Sequence, residues 1–273
     1  MRIPCDLHLH TVFSDGHLTP TAVVEEAYAK GLSVIAITDH DTVAGVEEGI
    51  AAAKRLGITC LGGIEFSTYL REEVHVLGYN VPYDDVSFLD EVARLQGMRR
   101  RRIQRVVEKL HKHGIKLVVH DELSAPTAGR AHVAELLVKQ GFVRSKAEAF
   151  DKYLGKGAPC YVEGMRVTPA DAVRLIHAYG GVAVLAHPYR FLQGDSLERM
   201  VKELVPLGLN GIETYYPNYG ESVRGGLARV AVENGLIITG GSDFHGGEGG
   251  TTIGCADAHL DEKACQLLGL TKC

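Results

Sequence analysis

The hydrophobic and polar positions of the first 80 residues alternate between a strand period and a helix period. Residues 6–10, Asp6-Leu7-His8-Leu9-His10, repeat every second position and read as a short strand that ends in polar side chains. Thr19-Pro20 supplies an N-cap followed by proline at the first helical position, and the predicted helix runs to about Lys30, where Gly31 stops it. Residues 34–37 form a compact β-branched strand, and Asp41 or Thr42 stands where it can cap a helix that reaches Leu56 and ends at Gly57. Residues 59–61 and 74–79 are further strands, with Gly62-Gly63 placing Glu65 just past a strand end. This βαβ rhythm predicts a mainly parallel sheet.

The rhythm breaks over residues 84–164, which are polar, helical and poor in strand patterns, with segments ending at Gly114, Gly141 and Gly155. We read them as an inserted helical cap between two parts of one α/β domain, residues 1–83 and 165–273. After Thr168-Pro169, a second N-cap pair, strands are predicted at residues 182–186, 211–214 and 236–241, with helices at 196–207 and 222–234 between them. No internal repeat or low-complexity stretch interrupts the pattern.

Composition narrows the class. Apolar content of 45% and charged content of 23% are those of a globular domain, and the longest apolar runs, such as residues 180–186, are too short to cross a bilayer. Residues 1–10 lack the charged start and apolar stretch of a secretory leader, which predicts a cytoplasmic protein. The six cysteines show no CxxC spacing and read as reduced thiols. A net charge of −5 argues against a surface devoted to non-specific nucleic-acid binding. Arg99–Arg102 and Arg105 read as an RNA contact or, preferred because no aromatic interleaves with them, as a solvated helix face.

The chemistry lies in residues at the ends of the predicted strands. In a strand, positions i and i+2 share a face, so His8 and His10 converge while Leu7 and Leu9 pack on the other side. Ser242-Asp243-Phe244-His245 repeats this geometry for Asp243 and His245, and Gly240-Gly241 before it lets the backbone approach closely. Two such pairs point to a metal site, because adjacent buried imidazoles without a partner are costly. Thr38-Asp39-His40-Asp41 follows a strand directly; His40 is the candidate ligand and Asp39 a support or substrate contact. Glu65 alone reads as a surface acid and His75 alone as a structural histidine, but beside the others Glu65 becomes a carboxylate able to bridge two metals. Ala186-His187-Pro188 also ends a strand. The donors are imidazole and carboxylate, a set that suits zinc, manganese or iron.

Together these residues resemble the PHP (polymerase and histidinol phosphatase) family of metal-dependent phosphoesterases. The resemblance covers residues 6–80 and 168–245, in motif order HxH with Asp15 downstream, TDH, Glu65 with His75, AHP, then SDFH. It implies a distorted (β/α)7 barrel with two or three divalent metal ions (Mn, Fe or Zn) at the C-terminal ends of the strands. Carried over by motif, His8, His10, Glu65 and Asp243 hold the first metal, Glu65, His75 and His187 the second, and Asp15, His40 and His245 the third. Three such metals, offset by the carboxylates of Asp15, Glu65 and Asp243 and a bridging hydroxide, leave a positive deficit matching a phosphate dianion.

The implied reaction is hydrolysis of a phosphate ester by a hydroxide bridging the first two metals, with Glu65 as the bridge and Asp243 accepting the proton. Leu154-Gly155-Lys156-Gly157, residues 180–187 and residues 211–217 resemble the branch acting on nucleoside 3′,5′-bisphosphates and RNA 5′ ends. That branch implies a phosphate pocket of Arg130, His132 and Lys156, with Arg190 as a further substrate contact, and a small phosphorylated partner that is a nucleotide or short RNA. Tyr215 and Tyr216 read either as base-stacking or as packing residues. Alternatives within the fold are a histidinol-phosphate-type or cyclic-phosphate phosphatase and an amidohydrolase. A non-catalytic metal module is disfavoured, because structural sites close with four ligands.

Overall fold

The computed structural model describes residues 3–70, 73–119, 123, 128–163, 167–192, 194–247 and 250–270. The chain divides into two compact units, Met1–Leu89 with Val167–Cys273, and Asp90–Arg166.

The first unit is built on strands β1 (Ile3–Leu9), β2 (Val34–Ile37), β3 (Thr59–Tyr69), β4 (Glu73–Tyr79), β5 (Val182–Leu185), β6 (Leu209–Tyr215), β7 (Ile237–Gly240) and β8 (Ala258–Leu260). They form one sheet in the order β7-β6-β5-β4-β3-β2-β1-β8. β1, β2 and β3 run parallel, as do β5, β6 and β7, whereas β4 is antiparallel to both its neighbours and β8 is antiparallel to β1. The sheet nearly closes, because the chain after β7 returns to β1: His10 N donates to Phe244 O at 2.9 Å and Ser242 N to Asp6 Oδ1 at 2.8 Å. The expected distorted barrel is therefore present, with β8 as an eighth strand at its edge.

Helices α1 (Pro20–Ala29) and α2 (Val46–Leu56) follow β1 and β2, and α6 (Pro169–Ala178), α7 (Asp195–Leu204), α8 (Glu221–Glu233) and α9 (Glu262–Leu267) belong to the second half of the barrel. Thr19 and Thr168 cap α1 and α6 as their sequences predict, each ahead of a proline. The cap expected at Asp41 or Thr42 is not there. α2 starts after Gly45, and Asp41, at φ +52°, instead accepts the N–H of Ser67 at 3.0 Å.

Two expectations about strands are also corrected. β3 does not end near residue 61 but continues through Glu65 and forms a hairpin with β4, pairing Glu65 with Leu77 and Ser67 with His75. The glycine that suggested an end serves a close approach, since a Cβ on Gly63 would lie 2.6 Å from the Ile37 carbonyl oxygen. In β1, Leu7 and Leu9 do not pack together. Leu7 joins a core with Leu77, Tyr79 and Val184, while Leu9 joins one with Val23, Val24 and Ile35. A register shift against β2 between Asp6 and Leu9 separates them, as a bulge re-aims side chains near a site.

The second unit is helical, with no strand among its described residues. α3 (Val86–Lys112) leads into it, followed by α4 (Arg130–Lys139), α5 (Lys146–Ala149) and a wider turn at Phe150–Leu154. Its core includes Val106, Leu110, Leu137 and Leu154. The arginine run on α3 is not one solvated face: Arg102 is buried and Arg99 Nε donates to the Ala128 carbonyl at 3.0 Å. Cys5, Cys60, Cys160 and Cys255 are free thiols, but Cys265 is disulfide-bonded, which corrects the reading of all six as reduced; Cys273 lies outside the described residues. The absence of CxxC spacing says nothing about bonds between more widely separated cysteines.

Candidate metal centre

Nine imidazole and carboxylate side chains meet at the strand ends of the first unit, with Glu65 at their centre. Its Oε2 lies 3.2 Å from His8 Nε2, 3.2 Å from His10 Nε2 and 3.0 Å from His40 Nδ1. Its Oε1 lies 2.8 Å from His75 Nδ1 and 3.2 Å from His187 Nε2. Asp243 Oδ1 completes one side, 3.4 Å from His8 Nε2 and 3.2 Å from His10 Nε2. Asp15 lies further out, 3.2 Å from His245 Nε2 and 3.8 Å from both His10 Nδ1 and His40 Nε2.

The backbone explains the convergence. The hairpin puts Glu65 and His75 on neighbouring strands, and residues 39–41 run alongside β3, with Asp41 N donating to Glu65 O at 2.9 Å. Asp243 and His187 sit at φ +51° and +25°, conformations that non-glycine residues rarely adopt and that need the surrounding structure to hold them. Asp243 and His245 thus do not share a strand face, as their spacing implied. β7 has ended at Gly240, and the turn sends Asp243 toward His8 and His10 but His245 toward Asp15.

The donor set fits divalent cations. Ligands about 2.1 Å from a common centre stand about 3.0–3.4 Å apart at tetrahedral or octahedral angles, the spacing seen among His8, His10, Glu65 and Asp243. His8 Nε2, His10 Nε2 and Glu65 Oε2 are buried without a hydrogen-bond partner despite these short separations. Together with Asp243 they lie close enough for one cation to be shared among them. Three sets of donor atoms lie within 4.8 Å of one another: His8, His10, Glu65 and Asp243; His10, Asp15, His40 and His245; and His40, Glu65 and His75. His187 joins the last group through Glu65.

Electrostatics follow from this crowding. Burial works against the Glu65 carboxylate, but His40, His8 and His75 outweigh it and hold its pKa well below the ordinary value. Asp243 is held low in the same way, by His8 and then His10. Burial opposes protonation of His10 and His75, yet Asp243 and Glu65 push His10 up to about 10, and Glu65 with Glu73 pushes His75 up to about 9. At His40 burial wins, and its pKa falls to about 4.

Other expected residues are placed differently. Asp39 does not orient His40; it accepts Thr11 N at 2.7 Å and the Thr11 and Ser14 hydroxyls at 2.6 and 2.5 Å, fixing the loop that carries Asp15. Arg190 Nη1 donates to Asp243 Oδ2 at 3.2 Å and to Tyr216 Oη at 2.9 Å. Tyr216 is no stacking platform, being buried with its hydroxyl donating to Asp243 Oδ2 at 2.7 Å, and the half-buried Tyr215 ring lies under Arg224. In the second unit, Arg130 Nη1 bonds the Leu154 carbonyl at 3.2 Å and its guanidinium lies over Phe150 and Tyr161. His132 Nδ1 accepts Gly129 N at the start of α4, and Lys156 is exposed.

Sequence reasoning gave Tyr216 only a stacking or packing role and assigned no site role to Glu213 or Asp6. Glu213, on β6, reaches both His8 and His187. Asp6 accepts Ser242 N and Gly254 N at 2.8 and 2.7 Å and ties β1 to the returning chain. The only signal for either was an acid in an otherwise apolar strand.

Comparison with known proteins agrees with this geometry. The PHP domain model matches residues 6–163. A 5′-3′ exoribonuclease of Haemophilus influenzae is 36% identical over 245 residues, covering 88% of this chain and 89% of the relative. A 3′,5′-nucleoside bisphosphate phosphatase of Chromobacterium violaceum is 35% identical over 256 residues, covering 91% and 90%. Among solved structures, a protein from Bifidobacterium adolescentis assigned as a metal-dependent phosphoesterase superposes with a TM-score of 0.80 at 29% identity, covering 97% of this chain and 94% of the other.

Proposed function

The chain belongs to the PHP family of metal-dependent phosphoesterases, and from that premise we propose that it removes a phosphate from nucleoside 3′,5′-bisphosphates or from the 5′ ends of short RNA. The observation that carries this reading is the sharing of one buried carboxylate, Glu65, among five imidazoles.

We assign two or three divalent cations, Mn, Fe or Zn, to the cluster. His8, His10, Glu65 and Asp243 would hold the first, Glu65, His75 and His187 the second, and Asp15, His40 and His245 the third. Cations held there supply Lewis acidity and make hydroxide available near neutral pH. Glu65 presents Oε2 to His8 and His10 and Oε1 to His75 and His187, so it would contribute to both of the first two positions. Asp243 keeps Oδ1 toward His8 and His10 because Tyr216 and Arg190 hold Oδ2, and it accepts a proton from the attacking water. Arg190, half exposed beside Asp243, binds the scissile phosphoryl group. Recognition of a second phosphate falls to the inserted unit through Arg130, His132 and Lys156, and the protein works in the cytoplasm. Among the described residues, no helix is long and apolar enough to cross a membrane.

The test is phosphate release, in buffer supplemented with Mn²⁺, from a nucleoside 3′,5′-bisphosphate, a 5′-phosphorylated oligoribonucleotide, a cyclic phosphate and ribose 5-phosphate. The bisphosphate or the RNA should be preferred, and Arg130→Ala should reduce the bisphosphate preference by about 10- to 100-fold, the worth of a charge-assisted contact. Equal turnover of all four substrates, with no effect of Arg130→Ala, would overturn the substrate assignment.

A further inference from the structure

Behind the cluster lies a carboxylate outside the metal-ligand motifs. Glu213, on β6, is fully buried. Its Oε1 is 3.0 Å from His8 Nδ1, and its Oε2 accepts the backbone N–H of His187 at 2.7 Å. His8 lies on β1 and His187 two residues beyond the end of β5, so one side chain reaches candidate ligands from two other parts of the sheet.

The chemistry of each contact is directional. With the carboxylate oxygen as acceptor of this hydrogen bond, the proton lies on His8 Nδ1. With the proton on Nδ1, His8 Nε2 keeps a free lone pair, and that atom is the one facing Glu65 and Asp243 without a hydrogen-bond partner. The neighbouring rings of His10 and His187, with centroids 5.1 and 5.6 Å from that of His8, restrict the imidazole but do not choose its tautomer. At His187 the constraint is on the backbone, which sits at φ +25° and ψ +52° immediately before Pro188. Anchoring the His187 N–H holds that unusual conformation and keeps Nε2 3.2 Å from Glu65 Oε1.

We propose that Glu213 is a positioning residue that sets the His8 tautomer and fixes the His187 backbone, so that a single buried side chain builds the first and second cation positions together. This rests on the assignment of the cluster as a metal centre. Glu213 touches neither cation position and acts through His8 and His187. A binding change at one position therefore reaches the other through one rigid group.

Glu213→Gln tests this with little change of shape. A glutamine can accept from only one of the two donors, and its amide must face the other, so one contact is lost. Two readouts are independent of turnover. In Zn²⁺-loaded wild-type protein labelled with ¹⁵N-histidine, His8 should show a protonated Nδ1 and an unprotonated Nε2. In Glu213→Gln that Nδ1–H signal should shift or vanish, or the His187 amide should lose its hydrogen-exchange protection. Zn²⁺ titration by calorimetry should show affinity weakened by about 10- to 100-fold, as when the partner of a ligating histidine is removed. If the wild type binds no Zn²⁺, the metal-centre reading fails. If the wild type binds Zn²⁺ but the variant keeps both the tautomer and the affinity, this proposal alone fails. A wild-type His8 without a proton on Nδ1 overturns it with no variant needed.

Discussion

Gly241 is where the returning chain presses on the first strand, and its replacement offers a sharp test of how tightly the metal centre is built. A Cβ at this position would stand 2.4 Å from His8 Cβ and 2.6 Å from His8 N, whereas ordinary contact begins at 3.4 Å. Gly241→Ala must therefore move the two segments apart by about 1 Å, since neither neighbour is the free end of a flexible side chain. Overpacking of this kind costs about 1–3 kcal/mol, which for a chain of this size lowers Tm by roughly 2–12 °C. The displaced group is His8 itself, and a 1 Å error at a reacting centre costs about 100-fold in rate. Gly225→Ala is the control. It lies in α8 with nothing within 4 Å of its would-be Cβ, so alanine should stabilise by roughly 0.5–1 kcal/mol. Differential scanning calorimetry and Zn²⁺ titration of both variants decide the matter. A Gly241→Ala protein with wild-type Tm and wild-type Zn²⁺ affinity would refute the claim that this contact positions His8.

Further outcomes follow from the contacts in and around the centre. Tyr216→Phe removes the hydroxyl that holds Asp243 Oδ2 and should weaken Zn²⁺ binding by about 10- to 100-fold while Tm in EDTA stays within a few degrees; unchanged affinity would remove Tyr216 from the centre. Asp6→Asn leaves a backbone donor facing an amide, which should cost about 1–3 kcal/mol in denaturant unfolding. Burial pushes the Asp6 carboxyl up to about 6, so the folded state binds that proton more tightly than the unfolded chain; wild-type stability relative to Asp6→Asn should therefore decline as pH rises from about 4 to 6, and a rising difference would contradict the assignment. Because His10 and His75 hold protons up to about 10 and about 9 in the cation-free protein, and Glu65 and Glu213 outweigh burial to hold His8 well above its ordinary value, cation binding at neutral pH should expel protons and weaken as pH falls. Calorimetry in buffers of different ionisation enthalpy measures this, and zero proton release would count against it.

Much of the fold was legible because local rules coincide with tertiary demands. Thr19-Pro20 and Thr168-Pro169 start helices by backbone chemistry that needs no partner, and the apolar strands 34–37 and 182–185 are buried on both faces. The places where the reading erred are those where two segments meet. Gly63 looked like a strand end because the approach of Ile37 is invisible in sequence, and the direction of β4 cannot be read from its own alternation. The i,i+2 argument grouped His8 with His10 for the right outcome but misplaced Leu7 and Leu9, because the register shift in β1 is set by its pairing with β2. Asp243 and His245 also reach the cluster, but by a turn with positive φ at Asp243 and not along a strand face. Glu213 and Tyr216 act only through residues far away in the chain, so no spacing rule could nominate them.

The nearly closed seam between β1 and the segment after β7 has a thermodynamic consequence. His8 and His10 lie on one side of it and Asp243 and His245 on the other, joined in the cation-free protein by a few backbone bonds and the Asp6 carboxylate. A cation shared across that seam would work as a fastener between parts of the chain more than 230 residues apart. Occupancy then adds to the stability of the whole barrel by mass action, about 2.7 kcal/mol at a hundred times the dissociation constant. Supply of metal would thereby bear on how long the protein stays folded as well as on whether it turns over.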